Sequence, residues 1–427
     1  MDLKIFTSRA SSNVSWLVFD SISRSAVVFI VGVLIARHLG PSELGKYAFV
    51  MAILMLFQSI SSLGINEPLI KKIAQNGDRG GLINAATFIY ALSGLMSFFL
   101  FLLVALGLRD KFEELVIYAM LMGSTLLLKP FDIVKVYNES QVLSKFTVYA
   151  QLTGASLISL IRVFLIYLGV ETFYFVVAFL IEMVLISIFL CFYSRRNFDF
   201  YIPWRTDFNL VVNLIKDGFP LLLSGIAIMI NMRVDQIMLG FLTDSRDVGL
   251  YSVAVKFSEI PILMITVVLS TFFPILARSY KYDRGQFNRE LSILSGLTFW
   301  FTVGLIGVVI FISGFLVNSL LGSEYSQSIN VIKIYVFSCI AVAIGVVWTK
   351  WIILEGRAYL SAYAQGIAAV LNIFCNSVFI PKYGIEGAAL ATVFAYSVSV
   401  FISLFFHRAR FIFNSICLGI FCRWGKL

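Results

Sequence analysis

The stretch 172–193, TFYFVVAFLIEMVLISIFLCFY, decides the fold class, because it holds a single charged residue, Glu182, among 22 positions. Apolar runs longer than about 18 residues are typical of membrane-spanning helices. Similar runs recur along the 427-residue chain, which is 59% apolar and only 13% charged, with a mean hydropathy of +0.92. Soluble chains carry about 25% charged residues. The composition therefore predicts an all-α integral membrane protein.

Hydropathy along the chain predicts about twelve transmembrane helices. The first apolar run is too long for the core of a signal peptide and contains charges, so we interpret it as a retained helix. The predicted spans are 14–36, 46–65, 82–107, 113–129, 146–168, 172–193, 214–242, 248–276, 290–317, 328–354, 359–380 and 384–406.

Positive charge is distributed unevenly over the predicted connections. Of the 33 lysines and arginines, 21 fall on the side of the N-terminus, six on the opposite side and six within spans. The positive-inside rule then predicts that both termini of this multi-pass protein are cytoplasmic. The net charge of +9 is thus a topology signal, and a nucleic-acid partner is not expected.

Two short sequence matches indicate a duplication of one half of the chain. They pair Leu44–Ala48 with Val248–Ser252, and Leu168–Glu171 with Tyr383–Glu386. Six helices separate equivalent points, so the halves would share one orientation, as in transporters built of parallel repeats. We predict two six-helix lobes, 1–200 and 201–407. A basic and apolar tail, 408–427, is predicted to lie at the cytoplasmic interface.

The stretch Ala36–Phe49, ARHLGPSELGKYAF, resembles a signature of bacterial polysaccharide repeat-unit flippases, and the stretches 234–251 and 381–389 agree with it. These O-antigen and capsule exporters belong to the multidrug/oligosaccharidyl-lipid/polysaccharide exporter superfamily. The resemblance covers essentially the whole chain. It identifies the family better than the substrate, because its motifs lie in loops and packing positions.

The resemblance implies an alternating-access carrier rather than an enzyme. Its substrate would be an undecaprenyl-pyrophosphate-linked oligosaccharide, moved from the cytoplasmic to the periplasmic leaflet. A gradient of H⁺ or Na⁺ would drive the step. Membrane lipids, a polysaccharide polymerase and a chain-length regulator are the other partners that it implies.

Charged residues inside predicted spans are the candidate functional groups, because a cation at the bilayer centre costs about 2.5–3.5 kcal/mol on insertion scales. Six cations lie there: Arg24, Arg162, Arg233, Lys256, Lys333 and Lys350. Four acids accompany them: Asp20, Glu182, Asp235 and Glu259. A positive, water-filled cavity suits a lipid pyrophosphate, and arginine adds a bidentate fork.

The predicted roles follow from these charges. Substrate binding is assigned first to Arg24 and Arg233 and then to Arg162 and Lys256. The candidates for ion coupling are Asp235, Glu182, Asp20 and Glu259, because a desolvated carboxylate can exchange a proton in each cycle.

Structural pairing is the alternative for most of these residues. Asp20 and Arg24 stand four residues apart and Lys256 and Glu259 three apart, so each pair can neutralise itself on one helix face. Arg162 has no acid at such spacing, and Glu182 on the next helix is its predicted partner. Asp235 also lies in a motif that resembles the family signature, so a role in packing is the alternative to ion coupling.

Two other functions stay open. A multidrug or cation antiporter of the same superfamily would share the topology, although it would favour a cavity dominated by carboxylates. A membrane-embedded polysaccharide polymerase would need a sizeable outer loop, and every predicted outer loop is short. The sequence contains only two histidines and no C-x-x-C pair, so we expect neither a metal nor another cofactor.

Overall fold

The computed structural model describes residues 3–75, 79–107, 113–195, 206–355, 357, 359–405 and 417, with most side chains from residue 27 onward. These residues form α-helices and short 3₁₀ segments, and no strand occurs among them. Ten helical stretches within these ranges are long and apolar enough to cross a membrane. The predicted class, an all-α integral membrane protein, is therefore confirmed.

The first part of the described chain contains α1 (Leu3–Ser61), α2 (Asn66–Gln75), α3 (Arg79–Gly107), α4 (Glu113–Gly123), a 3₁₀ segment (Ser124–Phe131), α5 (Asp132–Ser140), α6 (Ser144–Tyr167), α7 (Thr172–Ser194) and α8 (Phe208–Leu242). The rest of the described chain consists of α9 (Ser245–Tyr282), α10 (Arg284–Leu320), a 3₁₀ turn (Ser323–Tyr325), α11 (Ser328–Tyr335), α12 (Ser338–Leu354) and α13 (Tyr359–Phe405).

Glycine breaks divide the two longest helices. A continuous helix of 59 residues such as α1 would measure about 88 Å, almost three times the hydrocarbon core of a bilayer. Gly40 interrupts α1 with φ 72° and ψ 170°, and Gly384 interrupts α13 with φ 56° and ψ −133°. The sequence predicted short connections at both positions, between spans 14–36 and 46–65 and between spans 359–380 and 384–406, and a non-helical glycine stands in or next to each of them. The count of twelve spans stays a prediction.

The chain divides into two compact units, an N-terminal unit of residues 1–229 and a C-terminal unit of residues 230–427. The division falls within α8, whose first part belongs to the N-terminal unit. These units are defined by how the chain packs, whereas the predicted lobes 1–200 and 201–407 were defined by six membrane spans each. The division into those lobes therefore stays a prediction. Apart from Cys417, the predicted interfacial tail 408–427 lies outside the described residues.

In the N-terminal unit, close glycine packing fixes the beginning of α8. Gly64 has φ +66° in the turn after α1, and a Cβ there would lie 2.3 Å from the carbonyl oxygen of Gly218 on α8. A Cβ on Gly218 would lie 2.6 Å from the carbonyl oxygen of Leu63. Val211 and Leu214 of α8 also join the apolar core of this unit. These contacts explain why the first part of α8 belongs to the N-terminal unit.

In the C-terminal unit, α9, α10 and α12 pack against one another around a shared apolar core, and α13 packs against α9, α11 and α12. Where α9 meets α10, the Tyr280 hydroxyl donates to Glu355 Oε1 at 2.6 Å. The guanidinium carbon of Arg284 lies 3.6 Å from the centre of the Tyr280 ring. Burial and the hydrogen bond to a carboxylate raise the pKa of Tyr280. The three side chains tie the ends of α9, α10 and α12 together.

The second sequence match coincides with a shared backbone feature. Gly169 between α6 and α7 has φ +68°, and its counterpart Gly384 within α13 has φ +56°. L-residues with side chains avoid this left-handed region. The agreement supports a duplicated half-chain, which stays a prediction.

Candidate functional site

A buried carboxylate, Asp235, forms the centre of a polar cluster within the C-terminal unit. Its side chain lies on α8 and is only 2% exposed. The hydroxyl of Tyr251 on α9 donates to Asp235 Oδ2 at 2.7 Å, and the hydroxyl of Thr392 on α13 donates to the same oxygen. Asn376 on α13 donates from Nδ2 to Asp235 Oδ1 at 2.7 Å. Three helices thus converge on one carboxylate.

A second layer of polar groups extends the cluster toward the middle of α8. Asn376 Nδ2 also donates to Asn372 Oδ1 at 2.6 Å, and Asn372 Nδ2 donates to the Asn231 carbonyl at 3.4 Å. Asn231 Nδ2 donates to the Gln365 carbonyl at 3.0 Å. The Tyr396 hydroxyl donates to the Asn231 carbonyl at 3.3 Å. Buried polar networks of this kind hold their members in fixed positions.

The cluster contains oxygen atoms of the kinds that bind cations, and its central carboxylate has no charged partner among the described residues. The three donors on Asp235 are neutral groups, so none of them balances a negative charge. The Oδ1 atoms of Asn231 and Asn376 are buried and have no hydrogen-bond partner among the described residues. A carboxylate in an apolar interior must take up a proton or bind a cation. Amide and hydroxyl oxygens are also ligands of hard metal cations.

Arg233 lies two residues before Asp235 and forms a loose ion pair on a different face of α8. Its Nη1 is 3.5 Å from Glu259 Oε1 on α9, and the two side chains are 15% and 34% exposed. The Nε atom of Arg233 is buried without a partner among the described residues. Guanidinium groups bind phosphate through several donors at once. Arg233 therefore retains donor capacity for an anion beyond its pairing with Glu259.

The predicted partnership of Arg162 and Glu182 is confirmed in the N-terminal unit. Arg162 Nη2 on α6 donates to Glu182 Oε2 on α7 at 2.7 Å. The side chains are 12% and 10% exposed, so the pair is short and largely shielded. This geometry neutralises both charges. Substrate binding by Arg162 and ion coupling by Glu182 stay predictions.

The other predicted site residues are placed less completely. Lys256 is partly buried on α9, one turn before Glu259. Glu259 pairs with Arg233 on α8. The sequence had suggested Lys256 as the partner of Glu259 and had not predicted the pair with Arg233. The side chains of Asp20 and Arg24 lie outside the described part of the structure, so their roles stay predictions.

Sequence reasoning based on charge missed the neutral members of the Asp235 cluster. Asn372 and Asn376 stand four residues apart in an apolar stretch, and both are fully buried. Two amides on one helix face at membrane depth are a usable signal, because neighbouring helices must satisfy them. Tyr251 lies in a recognised motif, but no signal assigned its hydroxyl to Asp235.

The fold is that of a known class of membrane transporters. It matches the inward-facing conformation of a multidrug resistance MATE family transporter of the MOP superfamily with a TM-score of 0.74 and 13% identity, covering 94% of this chain and 99% of that chain. It also matches the lipid II flippase MurJ in an inward closed conformation, with a TM-score of 0.72 and 16% identity, covering 96% of this chain and 92% of that one.

The sequence agrees with this class. The chain is 24% identical over 396 residues to the probable flippase AglR of Haloferax volcanii, a match that spans 87% of this chain and 78% of the relative. Residues 11–280 match the family described as polysaccharide biosynthesis protein, and the chain belongs to that family. The resemblance predicted from the motifs is confirmed, and the matched relatives are transporters rather than enzymes.

Proposed function

We propose that this protein is a flippase for lipid-linked oligosaccharides, driven by a cation that binds at Asp235. The fold of a membrane transporter and membership of a polysaccharide biosynthesis family support the class. The observation that carries the proposal is the pair of opposite charges on α8. Arg233 has unused donor capacity for an anion, and Asp235 lacks a fixed cation among the described residues.

In this mechanism, Arg233 binds the phosphate groups of the lipid carrier. The ion pair with Glu259 is loose, so replacing this partly exposed carboxylate by a phosphate changes the free energy of Arg233 little. Asp235 takes up H⁺ or Na⁺, and alternating access links this event to movement of the substrate. Arg24 and Lys256 are further candidates for substrate contact, while Arg162 and Glu182 support the N-terminal unit as a closed pair.

We further propose the cellular setting. The substrate is an undecaprenyl-pyrophosphate-linked repeat unit of an O-antigen or capsule, moved from the cytoplasmic to the periplasmic leaflet. The protein lies in the bacterial inner membrane with both termini cytoplasmic, a placement supported by the distribution of positive charge. A polymerase and a chain-length regulator would use the delivered repeat units.

Accumulation of lipid-linked repeat units, measured by leaflet in cells that lack their own flippase, tests this function. We expect the native chain to restore surface polysaccharide. Arg233→Ala and Arg24→Ala at equal membrane levels should leave the intermediate in the cytoplasmic leaflet. Asp217→Ala is the matched control, because Asp217 forms a half-exposed ion pair with Lys72 near the beginning of α8. Normal export by both arginine variants would show that the arginines are not part of the substrate site.

A multidrug antiporter is the second candidate, favoured by the shared fold and by the buried carboxylate Asp235. It predicts that the native chain fails to restore polysaccharide but lowers the sensitivity of the cells to cationic drugs. Resistance that disappears in Asp235→Asn, together with absent export, would replace the flippase proposal by this one.

A further inference from the structure

Four buried hydroxyl groups in the C-terminal unit have no hydrogen-bond partner among the residues that the structure describes. They belong to Ser258 on α9, Ser292 and Thr298 on α10, and Ser338 on α12, and each side chain is at most 4% exposed. The indole nitrogen of Trp348 on α12 shares this property. Unpartnered buried hydroxyls are uncommon in folded proteins, and ordered water often satisfies them.

Neighbouring hydroxyls on the same helix behave in the ordinary way. Ser295 on α10 donates to the Leu291 carbonyl at 2.6 Å, and Thr302 donates to the Thr298 carbonyl at 2.7 Å. Serine and threonine in apolar helices normally satisfy themselves in this manner. Ser292 and Thr298 therefore differ from their neighbours in having hydroxyls that remain available to another ligand.

The unpartnered hydroxyls begin next to the Asp235 cluster. Tyr251, which donates to Asp235, lies seven residues before Ser258 on the same face of α9, about 10 Å along the helix. The rings of Tyr251 and Tyr335 lie 6.2 Å apart, and Tyr335 precedes Ser338 by three residues. The thiol of Cys339 lies 3.6 Å from the Ser258 carbonyl, so α9 and α12 touch at this level.

The series then continues along the unit toward the end where α9 meets α10. Thr298 and Ser292 are six residues apart on α10, about 9 Å, and Trp348 lies ten residues beyond Ser338 on α12, about 15 Å. The helices α9, α10 and α12 pack against one another, and each of them carries at least one of these groups. That end of the unit is predicted to be cytoplasmic.

We propose that a file of buried water molecules occupies the α9–α10–α12 interface and connects the Asp235 site with the cytoplasmic end of the C-terminal unit. Ser258 and Ser338 hold its first waters, and Thr298, Ser292 and Trp348 hold the later ones. The path gives the coupling cation a hydrated route to the cytoplasm, a role that rests on the proposed function. The water sites themselves do not depend on it.

Melting temperatures of the purified full-length protein test the water sites. In a dry interface an unpartnered hydroxyl is destabilising, so Thr298→Val and the double variant Ser258→Ala/Ser338→Ala would melt at a higher temperature than the native chain. In a hydrated interface these variants remove a hydrogen-bond partner of a buried water molecule, so we expect a lower melting temperature. Ser295→Ala and Thr302→Val are the matched controls and should shift the melting temperature least.

Uptake of radioactive sodium and, separately, of protons into sealed vesicles tests the route. With lipid-linked repeat units present, we expect Thr298→Val to slow uptake of the coupling ion several-fold relative to Thr302→Val. A raised melting temperature in the test variants, or uptake equal to the control, overturns the proposal. If the native protein shows no coupled uptake, the proposed function fails, and the melting comparison alone decides whether the water file exists.

Discussion

At the scale of single residues, Arg233 and Asp235 show how two opposite charges can avoid each other on one helix. Positions two apart on an α-helix point to nearly opposite faces. Asp235 therefore meets Tyr251, Thr392 and Asn376, while Arg233 meets Glu259. This separation keeps the carboxylate from being neutralised by the neighbouring guanidinium, as the proposed binding of a cation at Asp235 requires.

Replacing Asp235 by Asn tests the coupling role of that carboxylate. The amide keeps the shape but removes the negative charge that attracts a cation, so ion affinity should fall on the order of tenfold or more, which is about 1.4 kcal/mol or more. Ion-driven transport by reconstituted protein is the measurement. Asp217→Asn on the same helix should transport normally, because Asp217 is half-exposed where it pairs with Lys72. Equal transport by both variants would remove Asp235 from the mechanism.

The pair Arg162–Glu182 permits a test of stability. Removing one member leaves a buried charge unpaired, which costs about 3–5 kcal/mol in well-studied proteins, whereas replacing both by apolar residues is often neutral. We expect Arg162→Met and Glu182→Leu to lower the melting temperature singly, and the double variant to recover most of the loss. Additive losses in the double variant would show that the two residues do not act as a pair.

Charge was sufficient to predict several members of the candidate site but not its organisation. The membrane penalty identified Arg162, Glu182, Arg233 and Asp235 directly, since charged groups in a span need a partner or water. The neutral groups Asn372, Asn376 and Thr392 carry no such penalty signal, although they surround Asp235. Which charges meet depends on the rotation of packed helices, and hydropathy does not report that rotation.

At the scale of elements, single glycines break the helices at the two positions where the sequence predicted short connections between spans. Hydropathy predicted spans at 14–36 and 46–65, and the structure joins them through Gly40 within α1. Its backbone conformation, φ 72° and ψ 170°, is essentially restricted to glycine. The motif Leu39-Gly40-Pro41 is thus a break within α1, and proline at the start of the next helical segment reinforces it.

The glycine contact between Gly64 and Gly218 predicts a sharp steric effect. In Gly218→Ala the new Cβ would lie 2.6 Å from the Leu63 carbonyl oxygen and 2.8 Å from Ile65 Cγ2. Overpacking of this kind costs about 1–3 kcal/mol, so we expect a clearly lower melting temperature. Gly366→Ala on α13 is the control, because a Cβ there meets nothing within 4 Å. An unchanged melting temperature in Gly218→Ala would contradict the close approach of α8.

At the scale of the whole molecule, hydropathy predicted the membrane class, the motifs predicted the family and the repeat predicted two lobes, while the boundary between the compact units at residue 229 came only from the structure. The composition alone excludes a soluble fold, and the motifs extend over the chain. The boundary between the compact units lies inside the continuous helix α8, where no change in composition marks it. Close packing of Gly218 explains why the first part of α8 belongs to the N-terminal unit, and packing is not visible in hydropathy.

The predicted orientation has a direct test with two glutamines at exposed positions. In a chain whose five cysteines are replaced by alanine, Gln327→Cys precedes α11 at the predicted outer side, and Gln286→Cys begins α10 at the predicted cytoplasmic side. A membrane-impermeant maleimide should label Gln327→Cys in intact cells and Gln286→Cys only after the membrane is opened. The reverse pattern would place the termini outside.

The most direct test of the central claim is translocation of an undecaprenyl-pyrophosphate-linked repeat unit across sealed proteoliposomes that contain only this protein. We predict that an inward gradient of H⁺ or Na⁺ accelerates the movement of the substrate to the opposite leaflet, and that Asp235→Asn and Arg233→Ala abolish the acceleration. Substrate that stays in its original leaflet under either gradient, with correctly folded native protein, would contradict the claim that this chain is a cation-driven flippase.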